Sequence, residues 1–224
     1  MTAFSIGNAG TIVRHRETRA RILMKDMTQQ IANTLKATRA RYGWSLSLTA
    51  AKTGVSKAML GQIERGESSP TVALLWKIAS GMNIPFSVFI SSPELQEDVL
   101  HRTGIPAPIS SSETAMRVTP LFPFDATLGF EVLVVEVVAG GFSASSPHER
   151  GVIEHVIVVS GELELDIDGV WHRLSSGDAI RFAADCPHAY RNSTAELVRF
   201  HNLIHYPELP AGDNPRELIQ KNSI

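Results

Sequence analysis

The sequence predicts an α+β multidomain chain, an all-α N-terminal domain followed by an all-β C-terminal one, and three observations carry that expectation. The chain has 224 residues, more than one small domain needs at roughly 150 residues per domain. Its apolar residues recur at helical spacing as far as Phe89, and from Phe130 onward they gather in short runs rich in Val, Ile and Leu. Charge divides at the same place: through Ile90, 12 Lys and Arg face 4 Asp and Glu for a net +8, beyond it 9 face 19 for a net -10, and the two return the chain's -2. A basic unit joined to an acidic one points to a polyanion for the first and a different task for the second.

Composition removes several classes. At 43% hydrophobic and 20% charged, the chain is neither disordered throughout nor a collagen-like repeat. A lone cysteine, Cys186, forms no internal bridge and suits a reducing compartment, so the expected location is the cytoplasm. No apolar run nears the roughly 18 residues of a membrane span; the best, Val132 to Gly140, is broken by Glu136. No membrane partner is expected. Residues 1–26 carry Arg14, Arg16, Arg19, Arg21 and Lys25, which reads as a flexible basic arm rather than a secretory signal. Met24 and Met27 are alternative starts to Met1.

Residues 27–90 form the first expected domain. Ile31, Leu35 and Thr38 lie on one helical stripe that Gly43 ends. Ser45 caps a second helix that runs to Thr53 and is broken by Gly54; Ser56 caps a third, Lys57 to Arg65, closed by Gly66. Ser69-Pro70-Thr71 opens a fourth, with Val72, Leu75, Ile78, Ala79 and Met82 facing inward. The short junction Gly54-Val55-Ser56 makes helices two and three a helix-turn-helix.

Gly43-Trp44-Ser45, Gly54-Val55-Ser56, Leu60, Gln62 through Glu67 and Lys77-Ile78-Ala79 resemble the Cro/C1-type helix-turn-helix of XRE-family regulators over about sixty residues. The resemblance implies a third helix in the major groove of double-stranded operator DNA. Val55, Leu60 and Ile63 anchor that helix and leave Lys57, Ala58, Gly61 and Gln62 outward. Lys donates to guanine, Gln pairs with adenine, and a small Ala admits a thymine methyl. Ser45, Leu46, Ser56, Ser68 and Ser69 are expected on phosphates, where they set register without reading sequence. The plain alternative makes Lys57 and Gln62 ordinary solvated residues. Glu64 matches the family glutamate that pairs with an arginine of the first helix, here Arg39, and is expected to be structural. The family binds as a dimer on half-sites roughly 34 Å apart, so a homodimer is expected.

Residues 91–112, with Ser91-Ser92-Pro93 and Pro106-Ala107-Pro108, read as a linker holding one short helix around Glu94 to His101. In residues 113–208, strands are expected at Phe130–Val138, Ile153–Val159, Glu162–Ile167, Val170–Leu174, Ala179–Phe182 and Leu197–Ile204, with Asp168-Gly169 as a hairpin turn. That many short strands imply a sandwich or small barrel. Residues 209–224 read as a C-terminal tail.

His148-Glu149-Arg150 with Glu154 and Gly161, then Gly177, His188 and Asn192, resemble the two cupin motifs in order. The resemblance implies a jelly-roll barrel, with the motifs on neighbouring strands and a His-His-Glu-His set pointing inside. Arg150 stands where the second histidine belongs, and a guanidinium ligates no metal. The carried-over ligands are His148, Glu154 and His188. Three arrangements fit these residues. A divalent Zn, Mn or Fe ion sits on the three ligands with open positions; or no metal binds and Arg150 clamps an anionic small-molecule effector beside the histidines; or the polar groups merely satisfy one another. His155, placed with Arg150 in the effector set, is adjacent to Glu154 and would replace it if the strand carried a bulge, whereas normal alternation sends its side chain to the opposite face. Cys186 is expected to be packed rather than ligating.

Together the halves point to a non-catalytic transcriptional regulator whose barrel binds a small effector. The alternative is a cupin dioxygenase or isomerase fused to a DNA-binding domain, disfavoured by the absent histidine and the lack of an acid/base pair.

Overall fold

A computed structural model describes residues 26–91 and 115–207. The arm up to residue 25, residues 92–112 of the linker with its expected helix, and the 209–224 tail lie outside the described residues.

Among the described residues the first unit holds five helices: α1 over residues 26–41, then α2 Leu46–Thr53, α3 Lys57–Glu64, α4 Val72–Met82 and α5 Ser87–Ile90. Side-chain caps start three of them, because each supplies an acceptor that an N-terminal amide lacks. Ser45 accepts from the Leu48 amide, Ser56 from that of Met59, and Thr71 from that of Leu74. Gly54, at φ 66°, ends α2 in the left-handed region. Ile31, Leu35, Leu60, Ile63, Leu75 and Ile78 are fully buried around one centre. At Gly81 a Cβ would stand 2.5 Å from the Thr53 Cα; only glycine lets α4 lie this close to α2. Arg39 meets Glu64 through Nε at 2.6 Å and Nη2 at 2.9 Å, and its Nη1 donates to the Trp44 carbonyl at 2.9 Å. This bidentate pair fastens α1 to α3 as expected.

The second unit is a two-sheet β-sandwich of nine strands: β1 Met116–Asp125, β2 Phe130–Val137, β3 Phe142–Ser145, β4 Ile153–Ser160, β5 Glu162–Ile167, β6 Val170–Ser175, β7 Ala179–Ala183, β8 His188–Arg191 and β9 Val198–His205. One sheet runs β1-β2-β9-β4-β7 and the other β3-β8-β5-β6. The six expected strands are present to within a residue at their ends. β1, β3 and β8 were not foreseen. β1 contains Pro120 and Pro123 and has register shifts around Phe122; it survives them as an edge strand, where a missing ladder donor is tolerated. β3 and β8 are four residues each, too short to show alternation. Asp168 and Gly169 both take positive φ, 51° and 84°, as a two-residue hairpin turn requires.

The two units share a seam. α4 and α5 lie against the barrel, and their buried apolar side chains join those of the strands in one cluster. Trp76 of α4 stacks on Phe86 with centroids 4.2 Å apart. From β2, the fully buried Glu131 accepts the Phe86 amide at 3.0 Å, the Ser87 amide at 2.8 Å and the Tyr206 hydroxyl at 2.6 Å. The Ser87 hydroxyl accepts from the Phe124 amide at 2.9 Å.

Candidate metal centre and nucleic-acid interface

His148, Glu154 and His188 converge between the sheets, all buried, with one ligand atom from each lying within 4.8 Å of the others. Glu154 comes from β4 and His188 from β8, which belong to opposite sheets. The two motifs lie on neighbouring strands as expected, since β3 pairs with β8 and β4 with β7; Ser145 at the end of β3 pairs with His188, whereas the glutamate reaches in from the facing sheet. His148 sits in the loop between β3 and β4, its amide donating to the Ala184 carbonyl at 2.9 Å.

The carboxylate has two unlike oxygens. Glu154 Oε2 accepts from the Tyr190 hydroxyl in a short hydrogen bond and from Asn202 Nδ2 at 2.8 Å. Oε1 faces His148 Nε2 at 2.9 Å and His188 Nε2 at 3.5 Å. Burial pushes the Glu154 carboxyl up, yet its contacts with His148 and His188 outweigh it and hold the group well below the usual carboxylate range. Burial likewise pulls His188 down, and its contact with Glu154 more than reverses this, so its pKa is raised. Burial and the Glu154 charge push the Tyr190 phenol well up, so it remains a donor.

The residues fit a divalent cation. His188 Nδ1 lies 2.9 Å from the Cys186 carbonyl, which only accepts, so Nδ1 carries a hydrogen. The other nitrogen, Nε2, is buried without a hydrogen-bond partner and faces the carboxylate. Both histidine Nε2 atoms face Glu154 Oε1, at 2.9 and 3.5 Å, so these three side chains would hold such an ion between them. Two histidines and one carboxylate hold Zn, Mn or Fe with positions left for water or a small ligand. The ion would act as a Lewis acid toward that ligand. Protons compete for the same nitrogens, so affinity falls with acidity.

Two expected effector residues are not brought to this centre. Arg150 is exposed, in the turn after His148, because it follows the buried histidine outward instead of along a strand. His155 lies on β4 in regular register, opposite Arg181 and Leu203; with no bulge there, alternation sends it to the outer face. The sequence also hid two members of the site. Tyr190 follows His188 by two residues and shares its face, and Asn202 is a polar residue at an inward position of a strand otherwise lined by Val198, Phe200 and Ile204. Asn192, expected as a motif residue, instead holds a turn, with Nδ2 donating to the carbonyls of Val137, Val138 and Glu196.

On the helical unit, α3 presents Lys57, Ala58 and Gln62 to solvent. Gly61 is buried, with Arg65 Nη1 3.1 Å from where a Cβ would stand, so its outward placement is corrected: the arginine covers it. Ser45, Ser56 and Ser69 are exposed and Leu46 and Ser68 half-buried. Ser45 and Ser56 stand at helix N-termini, whose free amides favour phosphate oxygens.

Residues 35–89 match the helix-turn-helix family model and residues 133–204 the cupin domain model. Over 184 residues the chain is 51% identical to the HTH-type transcriptional regulator SutR of Escherichia coli K12, a match that covers 82% of this chain and 99% of that one. The chain belongs to the XRE/Cro-like HTH-type transcriptional regulators that carry a cupin domain. The chain is also similar to the crystal structure of an HTH_3 family transcriptional regulator from Vibrio cholerae, with TM-score 0.70 and 44% identity, covering 82% of this chain and 99% of that one. The regulator PuuR of Escherichia coli K12 is 23% identical over 168 residues, 74% of this chain and 89% of that one. The helix-turn-helix unit binds DNA, and the role is regulatory rather than enzymatic; the dioxygenase or isomerase alternative is set aside. Among the described residues no helix is long and apolar enough to cross a membrane.

Proposed function

We propose that the chain is a cytoplasmic, sequence-specific transcriptional regulator that binds its operator as a homodimer and whose affinity for that operator responds to a small ligand at a divalent-metal centre formed by His148, Glu154 and His188. The exposed α3 face carries this reading. Lys57, Ala58 and Gln62 present two donor-bearing side chains and one small apolar one toward the groove, a set suited to base edges. Ser45, Leu46, Ser56, Ser68 and Ser69 line the ends of α2 and α3 and would hold phosphates. A dimer is supported by the outer face of the five-stranded sheet, where Ile157 and Val159 are 44% and 45% exposed and Ile157 is separated from Val134 by His201. The effector occupies the open side of the metal centre. Since Arg150 points outward, an anionic group is drawn by the metal rather than by a buried guanidinium.

Selection from random duplexes, followed by titration of the recovered site, tests the reading. Gln62→Ala is expected to cost about 1–3 kcal/mol on the selected site and little on random DNA. Equal loss on every duplex would move Gln62 to the phosphate contacts, and failure to recover any preferred site would remove the sequence-specific reading.

A further inference from the structure

Each of the three metal-facing side chains is held from behind, and the supports come from different domains. Glu154 is held by Tyr190 and Asn202, and His188 by the Cys186 carbonyl; all of these belong to the barrel. His148 is the exception. Its Nδ1 lies 3.2 Å from Ser80 Oγ, and Ser80 is on α4 of the DNA-binding unit. Trp76, one helical turn earlier on the same face, sets its ring edge-on to His148 with centroids 5.7 Å apart while stacking on Phe86.

We infer that Ser80 is a positioning residue for His148, so that cation binding at the triad and seating of the DNA-binding unit on the barrel form a single coupled equilibrium. The inference rests on the metal reading given above. Without a cation, Glu154 Oε1 is an acceptor only, so His148 donates from Nε2, and Nδ1 accepts the Ser80 hydroxyl hydrogen. A cation on Nε2 would displace the hydrogen from that nitrogen, so the neutral ring would carry its one hydrogen on Nδ1 instead, and the bond across the seam would reverse, with Nδ1 donating to Ser80 Oγ and the serine hydroxyl hydrogen turned away. A metal-bound imidazole needs such an outer acceptor to fix its ring. Only α4 offers one within hydrogen-bond reach among the described residues. α4 in turn lies on α2 at Gly81 without room for a methyl group, so whatever holds α4 holds the helix-turn-helix as a body. Occupancy of the barrel thus sets how firmly the reading helices are tied down, through one hydrogen bond and one aromatic contact.

The test uses the full chain and Zn2+ as the probe. Zn2+ affinity is measured by competition with a chromophoric chelator for wild type, Ser80→Ala and His188→Ala, with and without a saturating duplex carrying the selected site. Wild type is expected to bind more tightly than His188→Ala, and Ser80→Ala to lose 10–100-fold in Zn2+ affinity, roughly the effect of removing an outer partner. The duplex is expected to change wild-type affinity by a factor of about 5–150, and that factor is expected to collapse toward one in Ser80→Ala. Coupling that survives undiminished in Ser80→Ala overturns the inference and leaves the metal centre standing. Zn2+ binding no tighter in wild type than in His188→Ala overturns the metal centre itself and the inference with it.

Discussion

Glu131 in β2 accepts the Ser87 amide at 2.8 Å across 44 residues of sequence, and so caps from the barrel a helix that belongs to the DNA-binding unit. A carboxylate at a helix N-terminus receives amides that no residue within that helix satisfies. Its burial is complete, and burial is also what pushes its pKa up, against the opposing pull of hydrogen bonds from Ser87, Tyr206 and Phe86.

That direction fixes a pH dependence. A carboxyl whose folded-state pKa is raised contributes stability that is fully present below its unfolded value and is lost as pH rises through the folded one. The Tm advantage of wild type over Glu131→Gln is therefore expected to be largest in mild acid and to shrink as pH climbs from the ordinary carboxylate value through the raised one. Scanning calorimetry of both proteins over that window measures it. An advantage that grows with pH would mean that the hydrogen bonds outweigh burial.

Thr38 is buried in α1, and its Oγ1 has no hydrogen-bond partner among the described residues. An unmatched buried hydroxyl costs about 1–3 kcal/mol relative to a satisfied or absent one. Thr38→Val keeps the shape and removes the hydroxyl, and is expected to raise unfolding stability by about 1 kcal/mol. Urea denaturation with an unchanged slope is the check; a destabilised variant would show that the hydroxyl finds a partner in solution.

Tyr190 orients Glu154 by donating to Oε2, which leaves Oε1 toward the two histidines. Tyr190→Phe keeps the ring packed on Phe200, whose centroid is 5.4 Å away, and deletes only the donor. Zn2+ affinity is expected to fall by about tenfold or more, as for other outer partners of metal ligands, with the selected DNA site still bound in the absence of metal. Calorimetric titration reads the loss, and an unchanged affinity would reassign the tyrosine to packing alone.

Much of this architecture follows from short-range chemistry. Ser45, Ser56 and Thr71 mark helix starts because a side-chain acceptor three residues before an amide works the same way in any fold. Gly54 marks an end because its φ of 66° is open to few other residues. The pairing of Arg39 with Glu64, and the grouping of His148, Glu154 and His188, were legible because their spacings follow family motifs. Such readings fail where position depends on a distant partner. The prolines of β1 argue against a strand until it is seen to stand at the sheet's edge, paired with β2 alone, and Gly61 counts as outward until Arg65 folds over it.

What the sequence determined by itself was the division into a helical, basic reader and a β-rich, acidic barrel, together with the side chains that a metal would need. Tertiary structure decided the rest. It turned Arg150 and His155 away from the centre and brought in Tyr190 and Asn202. It also gave α4 a second buried face, on which Trp76 and Ser80 meet His148. Periodicity reports one partner surface for a helix; α4 has two, and the second exists only because the barrel closes against it.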